Sequence, residues 1–264
     1  MSVPYDTRTP MEVLDDLRDS GVEAFPNVFP DNFRESNGLT SDKGRIYPLG
    51  TISNSTTIFN NESGYYPIIE TDEHGFNNPK GLYIKNNVDI VLTGDSFAEG
   101  YSVLSHESIS AVLRQLDFNA ISVGKGGNGP LMELAALKEY AEPLKPKIVL
   151  WLYNRGDFSG LADEMQSSIL KKYLNEDDYS QNLISRQEEI DGVLRNYVQS
   201  KWEKQKNKEN ENEKERDEKQ KKKRVKKMII DLLKLSKLRN KINLKPAPAP
   251  IFRDILQQSK QMVS

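Results

Sequence analysis

Three short apolar runs, each followed by a helical pattern, constrain the fold of this chain most strongly. The runs cover residues 88–92, 120–123 and 147–153. They are continuous rather than alternating, which is typical of strands that are covered on both faces of a parallel sheet. The alternation of strand and helix therefore predicts an α/β core over residues 88–200.

The segments between and after these strands show apolar residues at helical spacing. A helix is predicted to begin at Pro130, and it is expected to be buried because it is apolar on most faces. One further helix is predicted after the third strand. The stripes on the two flanking helices are Ile109, Val112, Leu113 and Leu116 before the second strand, and Leu161, Met165, Ile169 and Tyr173 after the third.

Residues 1–87 follow a different pattern. Thr9, Pro10 and Glu12 mark the start of a short helix, because they combine a capping box with a proline at the first helical position. Residues 26–87 are rich in Pro, Gly, Asn and aromatic residues, which predicts irregular loops with short antiparallel strands.

Residues 201–227 are too highly charged to form a core. They contain 13 Lys or Arg and 7 Asp or Glu, which predicts a solvated helix or a spacer. The basic run at 221–224 could contact phosphates or anionic lipid, but the interleaved acidic residues favour the spacer. Beyond the core, we therefore predict a charged and then amphipathic helix or spacer over 201–244, and a Pro-rich linker with a terminal helix over 245–264.

The composition excludes several classes of function. The 264-residue chain has no cysteine, which excludes a disulfide scaffold, a thiolate nucleophile and a Cys-ligated metal. Its 2 histidines, His74 and His106, are too few for a multi-histidine metal centre, and a net charge of −2 gives no general attraction to nucleic acid. No apolar run reaches the roughly 18 residues of a membrane span, and the N-terminus has no signal-peptide pattern. No cofactor or metal is predicted.

Glycine-rich or polar segments follow each of the three predicted strands. They are Gly94-Asp95-Ser96-Phe97, residues 122–130 (SVGKGGNGP) and residues 153–158 (YNRGDF). Because the carboxyl ends of parallel strands meet at one edge of the sheet, we expect a single site there. A serine that opens a helix also lies where the helix favours negative charge, although Asp95 or Ser96 could merely cap that helix. The glycine-rich loop matches neither common nucleotide-binding motif, so nucleotide binding is disfavoured.

These three segments resemble the conserved blocks of the SGNH/GDSL hydrolases. The resemblance implies that Ser96 is the nucleophile, that the backbone N–H of Gly127 binds the oxyanion, and that Asp157 occupies the third-block position. It is closer to a poorly characterised, envelope-associated bacterial subgroup. The segments similar to that subgroup are Asp6 to Thr9, Asp72 to Pro79, Gly94 to Phe97 and Gly127 to Ala135.

The resemblance implies a three-layer α/β/α fold of the flavodoxin type, with a loop-rich N-terminal region and a charged C-terminal helix. It also implies an esterase, lipase or acyl-transfer activity on a small ester or an acylated glycan. The subgroup is associated with the bacterial cell envelope.

Two departures from the family pattern bear on activity. Asp157 stands where the family has an asparagine that donates a hydrogen bond to the oxyanion, and an ionised aspartate would repel that charge unless Arg155 pairs with it. The family's D-x-x-H block is absent, since no histidine follows His106, and His74 and His106 are weak candidates for the base. Only three strands are predicted where the family's sheet has five. We therefore expect a truncated hydrolase that is weakly active or inactive, the alternative being a non-catalytic binding or scaffold protein of the same fold.

Overall fold

The structure is a computed structural model that describes residues 5–153 and 157–207, together with Lys219 and Lys223. The chain divides into two units, Met1–Trp202 and Glu203–Ser264. The elements below lie in the first unit, apart from the last residues of the final helix.

A three-stranded parallel sheet forms the centre of this unit. Its strands are β6 (Ile90–Thr93), β7 (Ala120–Ser122) and β8 (Ile148–Trp151), in the order β7-β6-β8. Ile90 of β6 pairs with Ala120 on one side and with Ile148 on the other. The three predicted strands, their parallel pairing and the α/β class are thus confirmed.

Helices connect and cover these strands. They are α2 (Ser96–Glu99), α3 (Ile109–Gln115), α4 (Pro130–Ala136), α5 (Asp157–Glu164), α6 (Ser168–Asn175) and α7 (residues 187–207). The start at Pro130 and the burial of α4 are confirmed, since Leu131, Met132, Ala135 and Ala136 are all buried.

The prediction of one helix through Leu161, Met165, Ile169 and Tyr173 was wrong, because two helices occupy this segment. α5 ends at Glu164, and Ser167 caps the start of α6 by accepting a hydrogen bond from the Leu170 N–H at 3.1 Å. A serine side chain that binds the backbone in this way competes with a continuous helix.

The N-terminal region contains one helix and two small sheets. Helix α1 (Pro10–Asp19) has the predicted capping box, formed by Thr9 and Glu12. The strands are β1 (Ala24–Pro26), β2 (Leu39–Ser41), β3 (Gly44–Ile46), β4 (Thr56–Ile58) and β5 (Ile68–Glu70). Two of the three strand pairings are antiparallel as predicted, but the pairing of β1 with β4 is parallel.

Helix α7 was not predicted, although its spacing is regular. It buries one residue per turn: Ile190, Leu194, Val198 and Trp202. Trp202 packs in a cluster with Val13 and Leu14 of α1. The charged segment predicted to start at 201 therefore has a packed residue at its second position, Trp202. Nearly all of the segment from 208 onward lies outside the described residues.

The apolar stripe of α3 lies at the surface rather than in the core. Ile109, Val112 and Leu116 are 40%, 44% and 62% exposed, whereas Leu113 packs against Ile90 and Leu92 of β6. In the described part of the chain, no helix is long and apolar enough to cross a membrane.

Candidate functional site

Ser96 lies at the junction between β6 and α2. Gly94 turns the chain there with φ +148°, and a Cβ at this position would lie 2.6 Å from the carbonyl oxygen of Leu152, so only glycine fits. The Asp95 carboxylate accepts a hydrogen bond from the Phe97 N–H at 2.9 Å. The cap of α2 is therefore Asp95, and Ser96 is left half-buried as the first helical residue. Within the described residues, neither its hydroxyl nor its N–H has a hydrogen-bond partner.

The loop after β7 uses almost all of its backbone donors. Gly127, at φ +75°, is the exception, because its N–H finds no acceptor among the residues described and the residue is exposed. The other N–H groups of this loop, those of Gly124, Lys125, Gly126, Asn128 and Gly129, all donate to protein acceptors.

The same loop is fastened directly to the segment that carries Ser96. The Lys125 N–H donates to the Gly94 carbonyl at 3.2 Å, and the Gly126 N–H donates to Glu99 Oε2 at 2.7 Å. A Cβ on Gly124 would lie 2.4 Å from the Cβ of Ala98, so the two segments touch. Loop 124–129 and helix α2 thus form one joined structure at the carboxyl edge of the sheet.

A buried ion pair, which no sequence pattern predicts, reinforces this joint. The Lys125 side chain is 1% exposed and its ammonium pairs with the fully buried carboxylate of Glu99. Asn27 bridges both partners, since its Oδ1 lies 2.6 Å from Lys125 Nζ and its Nδ2 donates to Glu99 Oε1 at 2.7 Å. Because the three residues come from distant parts of the chain, no local pattern reveals their pairing.

Glu164, at the end of α5, occupies the N-terminus of α4. Its carboxylate accepts hydrogen bonds from the N–H groups of Gly129 and Leu131, both at 2.9 Å. Burial raises the pKa of this carboxyl, while those backbone donors oppose the rise. The donors at this helix start are therefore already used by the protein.

Asn128 has an unusual environment in this otherwise satisfied loop. Its side chain is 3% exposed, and in the described structure neither its Nδ2 nor its Oδ1 has a hydrogen-bond partner. The sequence analysis identified the loop, but it did not predict that Asn128 is buried without a partner, because tertiary packing decides that property.

The segment Asp72 to Pro79 is hydrogen-bonded to the elements that form the site. Asn77 Nδ2 donates to the carbonyl of Glu99 at 3.0 Å. Asn78 pairs with Ser122 at the end of β7 in both directions, through its Nδ2 at 2.9 Å and its Oδ1 at 2.8 Å. This segment therefore ties the N-terminal region to both α2 and β7.

Asp157 is the first residue of α5, in the connection that follows β8. Its predicted pairing with Arg155 falls outside the described residues. Its part in the site stays a prediction.

Neither histidine contacts Ser96 in the part of the chain that the structure describes. The His74 ring lies edge-on to Tyr83 with 4.6 Å between ring centroids, and its Nδ1 is 3.3 Å from Gln187 Oε1. Burial lowers the pKa of this imidazole. His106 lines a separate cleft of about 590 Å³ beside β5 and α3.

A polar cleft of about 630 Å³ adjoins Gly127. Asp31, which lines it, lies so close that a Cβ on Gly127 would be 3.1 Å from its own Cβ. Each lining residue in the described part of the chain is polar or charged, including Arg34, which pairs with Asp31. Such a lining suits a ligand rich in hydroxyl groups better than an alkyl chain.

Among the described residues, no cluster of three or more His, Asp or Glu side chains could hold a metal ion. No protein-family model, no curated protein and no solved structure matches this chain.

Proposed function

We propose that this protein is a serine hydrolase or acyltransferase of the SGNH/GDSL type, with Ser96 as its nucleophile. The observation that carries the proposal is the N–H of Gly127, which has no partner among the described residues and lies on a loop that is hydrogen-bonded to the segment bearing Ser96. Preorganised N–H donors beside a nucleophile can stabilise the oxyanion that develops during acyl transfer.

In the proposed reaction, Ser96 Oγ bonds to the carbonyl carbon of an ester. The N–H groups of Ser96 and Gly127 bind the resulting oxyanion. The bond to the alcohol then breaks, and the alcohol leaves with the proton of the serine. The oxygen of water or of a sugar hydroxyl then bonds to the acyl carbon. The bond from that carbon to Ser96 Oγ breaks, and the proton of the acceptor returns to the serine.

The strand order supports a fold of the three-layer α/β/α flavodoxin type. In that fold the strands run 2-1-3-4-5, and the order β7-β6-β8 corresponds to strands 2, 1 and 3. The placement of Ser96 and Gly127 after the first and second of these strands agrees with the proposed nucleophile and oxyanion donor.

The polar cleft beside Gly127 supports a small polar ester or an acylated glycan as the substrate. Its carboxylate, guanidinium and amide side chains can bind vicinal hydroxyl groups.

A second candidate function is a binding or scaffold protein that lacks catalysis. It is favoured by the positions of His74 and His106, which make no contact with Ser96 in the described structure. A serine hydroxyl without an adjacent base is a weak nucleophile.

Labelling with a fluorophosphonate separates the two candidates. In that reaction Ser96 Oγ bonds to phosphorus, fluoride leaves and the hydroxyl proton passes to solvent. We expect the wild-type protein to be labelled and Ser96→Ala not to be, as read by intact mass and peptide mapping. Ser20→Ala, which alters an exposed serine after α1, is the matched control. A folded wild-type protein that resists labelling would favour the scaffold.

A further inference from the structure

The cleft beside β5 and α3, about 590 Å³ in volume, has no part in the proposed function. Three stretches of chain line it, namely residues 68–70, residues 77–79 and part of the segment 105–115. Its apolar lining consists of Ile68, Ile69, Pro79 and Ala111. Arg114 adds a cation to that lining, so this cleft combines an apolar surface with a positive charge.

The guanidinium of Arg114 lies at the outer edge of β7. Its Nη1 donates to the Ala120 carbonyl at 2.8 Å. Two residues further along the same strand, Ser122 is hydrogen-bonded to Asn78 through both its N–H and its carbonyl. Two residues of a strand span about 7 Å, and Arg114 and Asn78 both line the cleft. The two head groups therefore follow one another along the edge of β7 that borders the cleft.

The charge of Arg114 has no counter-ion among the described residues. The side chain is half-buried, and burial lowers the pKa of its guanidinium with no carboxylate to oppose that effect. Glu70 also lines the cleft, but it is exposed and its carboxylate accepts a hydrogen bond from the Thr56 hydroxyl. A guanidinium carries several N–H donors, and the bond to Ala120 occupies Nη1 alone. Arg114 is thus a partly desolvated cation with donors left for an anion.

We propose that this cleft binds a small organic anion, whose carboxylate pairs with Arg114 and whose apolar body packs on Ile68, Pro79 and Ala111. The planar fork of a guanidinium matches the two oxygens of a carboxylate. Apolar side chains around a few polar groups are typical of sites for small molecules. The cleft is also held in shape before a ligand enters, because Asn77 and Asn78 already bond to Glu99 and Ser122. The site does not involve Ser96.

The test titrates the wild-type protein with phenylacetate and follows the backbone amide signals by NMR. We expect saturable binding, with shifts centred on residues 68–70, 77–79 and 105–115. Phenylacetamide has the same size but no charge, and it should bind about 10- to 100-fold more weakly. Arg114→Gln keeps a donor for the Ala120 carbonyl and should weaken phenylacetate binding by a similar factor. The matched control is Arg45→Gln, since Arg45 is exposed and also donates to backbone carbonyls; it should bind phenylacetate as wild type does.

Several outcomes would overturn the anion site. They are equal affinities for phenylacetate and phenylacetamide, an unchanged affinity in Arg114→Gln, shifts centred elsewhere, or no saturable binding up to about 10 mM. If Arg114→Gln does not fold, Glu70→Gln decides the question, because it removes a negative charge from the cleft lining. That variant should bind phenylacetate about twofold to fivefold more tightly, and unchanged or weaker binding would refute the proposal. Ser96→Ala should bind phenylacetate as wild type does, so the result is independent of the hydrolase proposal.

Discussion

The carboxylate of Asp72 is fully buried, and four neighbouring groups donate hydrogen bonds to it. It accepts hydrogen bonds from the N–H groups of His74 and Phe76 at 2.8 and 2.9 Å. It also accepts from Asn78 Nδ2 at 2.8 Å and from the Tyr83 hydroxyl at 2.9 Å. Burial nevertheless raises the pKa of Asp72 to about 6, because four donors do not fully replace water around the charge.

The raised pKa of Asp72 predicts a dependence of stability on pH. The folded protein holds the Asp72 proton up to about pH 6, whereas the unfolded chain releases it near 3.8. The contribution of this group to the free energy of unfolding is therefore fully present below pH 3.8 and is lost as the pH rises to about 6. At about 1.4 kcal/mol per unit of pKa difference, the loss is roughly 3 kcal/mol.

The His74 imidazole must be absent from the variants compared, because its titration changes the free energy of unfolding with pH in the direction opposite to that of Asp72. Burial lowers the pKa of its imidazole, so its contribution is lost as the pH falls. We therefore compare His74→Gln with the double variant His74→Gln/Asp72→Asn by urea unfolding at several pH values. The free-energy difference between them should shrink from acid pH toward neutrality, and parallel curves would contradict the assignment.

The elements of the site are held together by side chains rather than by their own hydrogen-bonding patterns. Helix α2 spans only Ser96–Glu99 and is too short to be stable alone. The ion pair between Lys125 and Glu99 joins it to the glycine-rich loop, and Glu164 joins α5 to α4. The position of Gly127 relative to Ser96 is thus set by pairings between elements.

Replacing Lys125 by methionine should test the joint between α2 and the loop. The variant leaves the Glu99 carboxylate buried without its cation, which is expected to cost about 3–5 kcal/mol of the free energy of unfolding. The double variant Lys125→Met/Glu99→Gln should recover part of that loss, and urea unfolding measures both. The control is Lys147→Met, which breaks the exposed pair with Asp89 at 2.7 Å, and should cost under about 1 kcal/mol. Equal losses for Lys125→Met and the control would refute the role of the buried pair.

At the scale of the whole Met1–Trp202 unit, large apolar side chains are exposed on both β8 and α3. Strand β8 pairs only with β6 among the strands described, and its Ile148, Val149 and Trp151 are 49%, 45% and 44% exposed. The stripe of α3 adds Val112 and Leu116. Parallel sheets are usually covered on both faces, so this exposure distinguishes β8 from β6, whose four residues are all buried.

The same substitution, valine to threonine, should change the free energy of unfolding unequally at two positions of the parallel sheet. Val149 on β8 pairs in register with Val91 on β6, which is fully buried. Val149→Thr is expected to change the free energy of unfolding by no more than about 0.5 kcal/mol, and to reduce aggregation. Val91→Thr buries a hydroxyl and should cost about 1–3 kcal/mol. A comparable loss at Val149, measured by thermal and urea unfolding, would mean that β8 is covered in the protein in solution.

The sequence alone determined the local features of this protein. The three strands follow from continuous apolar runs, and the start of α1 follows from the capping box of Thr9 and Glu12. Each of these depends on interactions within a few residues, so the pattern is visible in the chain itself. The position of Ser96 at the end of the first strand could be predicted for the same reason.

The tertiary structure alone decided which segments are joined at the site. It also decided which polar side chains there lack a hydrogen-bond partner among the described residues. Asn27, Glu99 and Lys125 meet from three segments, Glu164 reaches the start of α4 from another helix, and Asn128 is buried without a partner in the described structure. At the break between α5 and α6, the Ser167 hydroxyl likewise donates to Oδ1 of the distant Asn37 at 2.6 Å. The free energy of these arrangements comes from desolvation and from contacts between residues distant in sequence. No periodicity or short motif records those contacts.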